Sequence, residues 1–301
     1  MKKLFPLLMA VAGSMSLLSC VNTSSGSENA PADELVAGQR TEVQVEAVWD
    51  LPAELDELSG QVRIDEDRMA VVQDNEGIIY FYNLKSKQVE SQVRFSGSGD
   101  YEGITKVGET YYVLRSDGLL SEVQLKGKQE PAVKTYELPF STKNDMETVV
   151  YDEKNARLLI GTKEKGLTPG EDNGVYAFDL KSKKLNTDAI FTLGGGDGEV
   201  KSAEGNGDGK KGKKKDGKKD KNQIKPSDMA IHPVTGEYYI LNGPRSELVI
   251  ADTAGRITSR RQLDKKQFPQ PEGISFTRDG ELYISSEKAK NANAIIARVK
   301  L

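Results

Sequence analysis

Five short, similar stretches divide this chain at a nearly constant interval. They are LSGQV (58–62), YEGIT (101–105), METVV (146–150), SDMAI (227–231) and PEGIS (271–275). Aligned on Ser59, Glu102, Glu147, Asp228 and Glu272, they are separated by 43, 45, 81 and 44 residues. The long step contains a Lys-rich stretch of 32 residues that carries almost no apolar side chains. A period near 45 held over five units marks a repeat architecture. Within each unit, four β-rich runs are separated by Gly, Asp and Asn turns, as in LSGQVRI, RMAVVQD, GIIYFYNL and VESQVRF of the first. Such runs read as a four-stranded antiparallel sheet. Four strands every 45 residues predict an all-β fold, a five-bladed β-propeller. The last unit has room for only three strands, and Thr41–Trp49 offers a fourth from the other end of the chain. Lending a terminal strand to the last blade would close the ring and remove its open edges.

Outside the repeats the chain divides simply. Residues 1–20 carry Lys2 and Lys3, an apolar run from Leu4 to Leu18, and Ser19-Cys20. That is the layout of a signal peptide, and Leu17–Cys20 resembles a bacterial lipobox, in which the Cys carries the lipid. Cys20 is the only cysteine of the chain, so disulfides, thiol nucleophiles and Cys-based metal sites are excluded from the folded part. Residues 21–40 are polar and small, and read as a flexible tether between lipid and domain. The domain is expected over 41–301, with a disordered Lys/Gly-rich insertion at 194–225. These features predict an exported protein of a bacterial envelope, anchored to a membrane by lipid. Val21, not Asp, follows the Cys, which by resemblance to the sorting rule of some Gram-negative bacteria implies the outer membrane over the inner.

The formal net charge of −4 conceals an asymmetry. Without Lys2, Lys3 and the stretch at 194–225, acids exceed bases by about ten. A domain this acidic does not suit nucleic acid. The single His, His232, leaves no His-rich zinc centre and little room for a Ser-His-Asp triad. A metal here needs oxygen ligands, which favours Ca²⁺ or Mg²⁺.

In a propeller, the first strand of each blade lies innermost. The five aligned positions should therefore meet at one mouth of the central channel. Glu57, on the same strand side as Ser59, can supply the carboxylate that Ser59 lacks. The candidate metal ligands are thus Glu57, Glu102, Glu147, Asp228 and Glu272. A second layer follows 13–16 residues later, with Asp74, Arg115, Lys163, Asn242 and Glu287 as candidate ligand-binding residues. Like charges held this close repel unless something positive neutralises them. Pairing with Arg115 and Lys163 is one solution. A hard cation such as Ca²⁺, which takes six to eight oxygens, is the other.

The Cys20 lipobox, the LSG, YEGI, METV and PEGI series, and the Ser-Glu pair near the end resemble the SdiA-regulated (YjiK-like) family of bacterial envelope proteins. The similarity runs from about residue 43 to 301. It implies a five-bladed propeller distantly similar to NHL-repeat propellers, with calcium at a shared site. Thr148 and Met229 depart from that pattern, standing where Gly is expected. The expected function is binding: Ca²⁺ and an envelope or small-molecule ligand at the channel mouth, by a monomer held to the membrane. The alternative is a metal-dependent hydrolase, lactonase- or phosphoesterase-like, with Glu102 or Glu272, Asp228 and Asn242 holding the metal and Arg115 or Lys163 binding an anionic substrate.

Overall fold

The computed structural model describes residues 42–127, 129–193, 201–202 and 223–301. The leader, Cys20, the tether and most of the Lys-rich stretch lie outside these residues. The described residues form 22 strands. After β1 (Gln44–Asp50), the first blade is β2 (Leu58–Arg63), β3 (Arg68–Gln73), β4 (Glu76–Asn83) and β5 (Gln88–Ser98). The second is β6 (Tyr101–Val107), β7 (Thr110–Arg115), β8 (Leu119–Lys126) and β9 (Gln129–Glu137). The third holds β10 (Met146–Asp152), β11 (Arg157–Thr162), β12 (Gly174–Asp179), β13 (Lys184–Leu185), β14 (Phe191–Thr192) and β15 (Lys201–Ser202). The fourth is β16 (Pro226–Ile231), β17 (Tyr238–Asn242), β18 (Glu247–Ala251) and β19 (Ile257–Gln262). The fifth is β20 (Pro271–Phe276), β21 (Leu282–Ser286) and β22 (Ile295–Lys300), completed by β1 in the order β1-β22-β21-β20. The inner strands β2, β6, β10, β16 and β20 touch in that sequence, and β20 returns to β2, closing a ring of five.

Alternation along the second strands explains the packing. On β3, Ala70 and Val72 enter the core between blades one and two, while Met69 and Val71 enter the core between blades five and one. On β17, Tyr239 and Leu241 face blade five, and Tyr238 and Ile240 face blade three. A strand buried on both faces reads as a continuous apolar run, as these do. Five inter-blade cores result in place of one central core. The closing core takes in Trp49 of β1, whose indole N–H donates to the Leu84 carbonyl at 2.8 Å.

The third blade departs from the four-stranded pattern. Its outer position is shared by β13 and β14, two residues each, and β15 pairs with β14. Lys201–Ser202 of the expected insertion is therefore strand. At its other end Ile224 is buried, and its carbonyl accepts from Asn173 Nδ2 at 2.7 Å. Lys201–Ser202 and Ile224 are thus described residues that fall within the span expected of the insertion, 194–225; the rest of that span lies mostly outside the described residues.

Candidate functional site

Each inner strand carries a β-bulge in its first turn of pairing. The register breaks between Leu58 and Gly60, Tyr101 and Gly103, Met146 and Thr148, Pro226 and Asp228, and Pro271 and Gly273. A bulge frees one residue from the ladder and re-aims its side chain. The freed residues are Ser59, Glu102, Glu147, Ser227 and Glu272. The fourth position is thus Ser227, one residue before the Asp228 that the sequence alignment chose. Both serines behave alike: Ser59 Oγ donates to the Tyr101 carbonyl and Ser227 Oγ to the Pro271 carbonyl, each at 2.6 Å across to the next blade.

The residue after each bulge is Gly60, Gly103, Thr148, Asp228 and Gly273. Met229 is not at the glycine position; Asp228 is. A Cβ on Gly60 would sit 3.1 Å from the Gly103 Cα, and one on Gly103 would sit 3.1 Å from the Glu147 carbonyl oxygen. There the inner strands touch backbone to backbone. Around the other arc, side chains bridge the gap. Asp228 Oδ1 accepts from Thr148 Oγ1 at 3.1 Å and from the Met229 N–H at 2.8 Å. Its Oδ2 accepts from the Ile274 N–H at 2.9 Å. Asp228 is a buried tie between blades three, four and five, and it is not among the residues that line the mouth cavity.

At the mouth, a cavity of about 140 Å³ is lined by Glu57, Asp74, Glu102, Glu147, Glu272 and Glu287, with Lys163 the one cation. Of the second layer, Asp74, Lys163 and Glu287 therefore reach the cavity. Arg115 does not: its guanidinium is held by both Asp117 oxygens at 2.8 and 2.7 Å. Asn242 does not either: it donates to Glu247 Oε2 at 3.1 Å and accepts from the Lys225 N–H at 3.2 Å. Lys163 Nζ pairs with Glu147 Oε1 at 2.6 Å. Burial works against its charge, but the field and hydrogen bond of Glu147 hold the ammonium above its usual range.

One ammonium does not neutralise six carboxyls. Burial first, then the charge of Glu147 and a contact with Asp100, push Glu102 up to about 10. Burial raises Glu147 to about 8 in spite of Lys163, and Glu272 to about 7. Burial and a hydrogen bond with Glu57 raise Glu287 to about 8. Asp74 is raised by burial and by Glu57 and Asp100, and its Oδ1 is buried without a hydrogen-bond partner. Asp100 is a member of this group that sequence spacing did not single out. It stands two residues before Glu102, as Glu57 stands two before Ser59, and that parallel is the signal that marks it.

The donor set is oxygen only, and Asp74 Oδ1 is an acceptor left open, which suits a hard cation. Among the described residues no three Asp, Glu, His or Cys side chains are already gathered as a metal cage. Several mouth carboxyls instead turn toward one another or toward Lys163.

The family model described as SdiA-regulated matches residues 42–290. No curated protein sequence matches the chain. The glutaminyl cyclase of Myxococcus xanthus is similar in fold, at 12% identity and a TM-score of 0.55, over 86% of this chain and 95% of that one. A luciferin-regenerating enzyme follows at 13% identity and a TM-score of 0.49, over 85% and 95% of the two chains. A structural-genomics protein of unknown function from Bacteroides thetaiotaomicron has 14% identity and a TM-score of 0.49, over 82% of this chain and 57% of that one. At such identities the first likeness speaks for the propeller fold alone.

Proposed function

The chain belongs to the SdiA-regulated family, and on that footing we propose that it is a cation-binding module whose ring of carboxyls takes up Ca²⁺ at one mouth of the channel. The observation that carries the reading is the excess of charge: six carboxyls and a single lysine face one cavity of about 140 Å³. Repulsion of this kind is relieved by protons or by a bound cation. Glu102, Glu272 and Asp74 would hold the ion, with Glu57 and Glu287 on the side where the first and last blades meet. Ca²⁺ supplies the positive charge that lets these groups ionise together. Asp228 is not part of the set, because both its oxygens are engaged in the inter-blade tie.

We propose further that the module belongs to a bacterial envelope, as a monomer lipidated at Cys20 on the outer membrane, with the mouth presented to an envelope or small-molecule ligand. The hydrolase reading is weaker. It needs Asp228 and Asn242 beside the metal and Arg115 or Lys163 free for an anionic substrate; Asp228, Asn242 and Arg115 are committed elsewhere, and Lys163, which does reach the cavity, is paired with Glu147.

The test is a calcium titration read by melting temperature, on the wild type and on the Glu102→Gln/Glu272→Gln double variant. The wild type should gain several degrees at saturating Ca²⁺ and the double variant should gain none. A wild type indifferent to Ca²⁺ would remove the proposal.

A further inference from the structure

We propose that the opposite end of the channel is a second binding site, for a small neutral molecule rich in hydroxyl groups, a saccharide of one or two rings. A cavity of about 840 Å³ opens there, several times the size of the carboxylate mouth. This lies within the range of roughly 300–1,000 Å³ of small-ligand pockets. All five inner strands line it, through Gln61, Thr105, Val149, Ile231 and Phe276 among others. Each inner strand is the terminal strand of its sheet. One main-chain edge of each therefore lacks a strand partner among the described residues. Such edges offer alternating N–H and C=O groups, which suit a ligand that both donates and accepts.

The side chains repeat that chemistry. Gln61 is 2% exposed; its Nε2 is committed to the Tyr283 carbonyl at 3.1 Å, and its Oε1 has no partner. Ser275 is 6% exposed and its Oγ has no partner. Thr105 Oγ1 accepts from the Tyr151 N–H at 3.2 Å and keeps its own proton to give. Phe276 adds an apolar surface, held edge-on by Tyr239 and by His232 with ring centroids 4.9 Å apart in each case. A sugar ring combines hydroxyls at its edge with C–H groups on its face, and this wall offers a counterpart to both.

Charge selects against an anion. Asp65, Glu66, Glu153, Asp279 and Glu281 line the cavity with only Arg63 and Arg278 to oppose them. Arg63 is already taken, donating to the Asp65 carbonyl at 2.6 Å and lying 4.5 Å over the Tyr283 ring. A cation finds no open carboxylate at the floor, since both Asp228 oxygens are engaged.

The test uses the full chain, with N-acetylglucosamine, glucose, galactose and their β-1,4 disaccharides as probes and glucose 6-phosphate as the anionic comparator. Binding is read by saturation-transfer NMR. At least one neutral saccharide should saturate below about 10 mM, with the phosphate at least tenfold weaker. Phe276→Ala and the cavity-filling Ile231→Trp should each weaken binding at least tenfold. The isosteric Thr105→Val, expected to weaken it severalfold, serves if either of those fails to fold. The Glu102→Gln/Glu272→Gln variant should bind the saccharide as the wild type does, with or without Ca²⁺, so each site stands or falls by itself. The proposal is overturned if no saccharide saturates and the channel holds water only, if binding survives the folded cavity variants, or if it is lost in the mouth variant.

Discussion

Single residues decide how the ring closes on itself. Gly60 and Gly103 are needed because the next inner strand lies where a Cβ would go. Gly103→Ala should therefore cost about 1–3 kcal/mol, measured by denaturant unfolding, because backbone and not a flexible side chain must move. At the equivalent fourth position the requirement is the reverse. Asp228→Ala would strand the Ile274 and Met229 N–H groups and the Thr148 hydroxyl. A loss of about 2–4 kcal/mol is expected, since buried donors without acceptors forfeit their full desolvation. Thr148→Val, which removes one bond and keeps the shape, should cost nearer 1 kcal/mol. Equal losses for Asp228→Ala and Thr148→Val would contradict the three-blade tie.

At the level of the strand, the bulge is the recurring device. It lifts one residue per blade out of the ladder, and at three blades that residue is a glutamate. The period, the four runs per unit and the loan of β1 to the last blade were legible because alternation and turn residues repeat with them. The register of the fourth motif was not. Ser227 and Asp228 are adjacent and polar, and only the pairing of Pro226 with Asn242 and of Asp228 with Leu241 separates them. The third blade was hidden for a different reason. Strands of two residues, such as β13 and β14, are too short to show alternation. Nor could spacing reveal that Arg115 and Asn242 have nearer partners than the channel. The loan of β1 carries its own prediction. Trp49 is half-buried, lies 6.0 Å from the Tyr283 ring and anchors β1 to Leu84. Trp49→Ala should lower stability by roughly 2–4 kcal/mol, seen as a fall in the denaturant midpoint; an unchanged midpoint would mean that the ring closes without it.

For the whole molecule, the two kinds of carboxyl act in separate pH windows. Asp65 and Asp117, hydrogen-bonded first of all to Arg68 and Arg115, are held below their ordinary value of 3.8. They stabilise the fold above that value, and the benefit is lost as pH falls further. Glu147, Glu272 and Glu287 are raised from 4.5 to about 8, 7 and 8. Folded chains then hold protons that unfolded chains have already released. Their contribution is complete below 4.5 and is lost as pH climbs through the raised values, because stability falls wherever the native state binds more protons. The metal-free protein should therefore be most stable near pH 5 and melt at a lower temperature at pH 8. Ca²⁺ changes the sign of the mouth's contribution, since an ion held by ionised carboxylates must displace those protons. Calcium affinity should rise between pH 6 and pH 8 with proton release, and saturating Ca²⁺ should flatten the decline in melting temperature. Calorimetric scans in EDTA and in Ca²⁺ across this range measure both effects. A melting temperature that rises from pH 5 to pH 8 in EDTA would mean that the mouth carboxyls are ionised and already compensated, and the need for a cation would disappear with their excess charge.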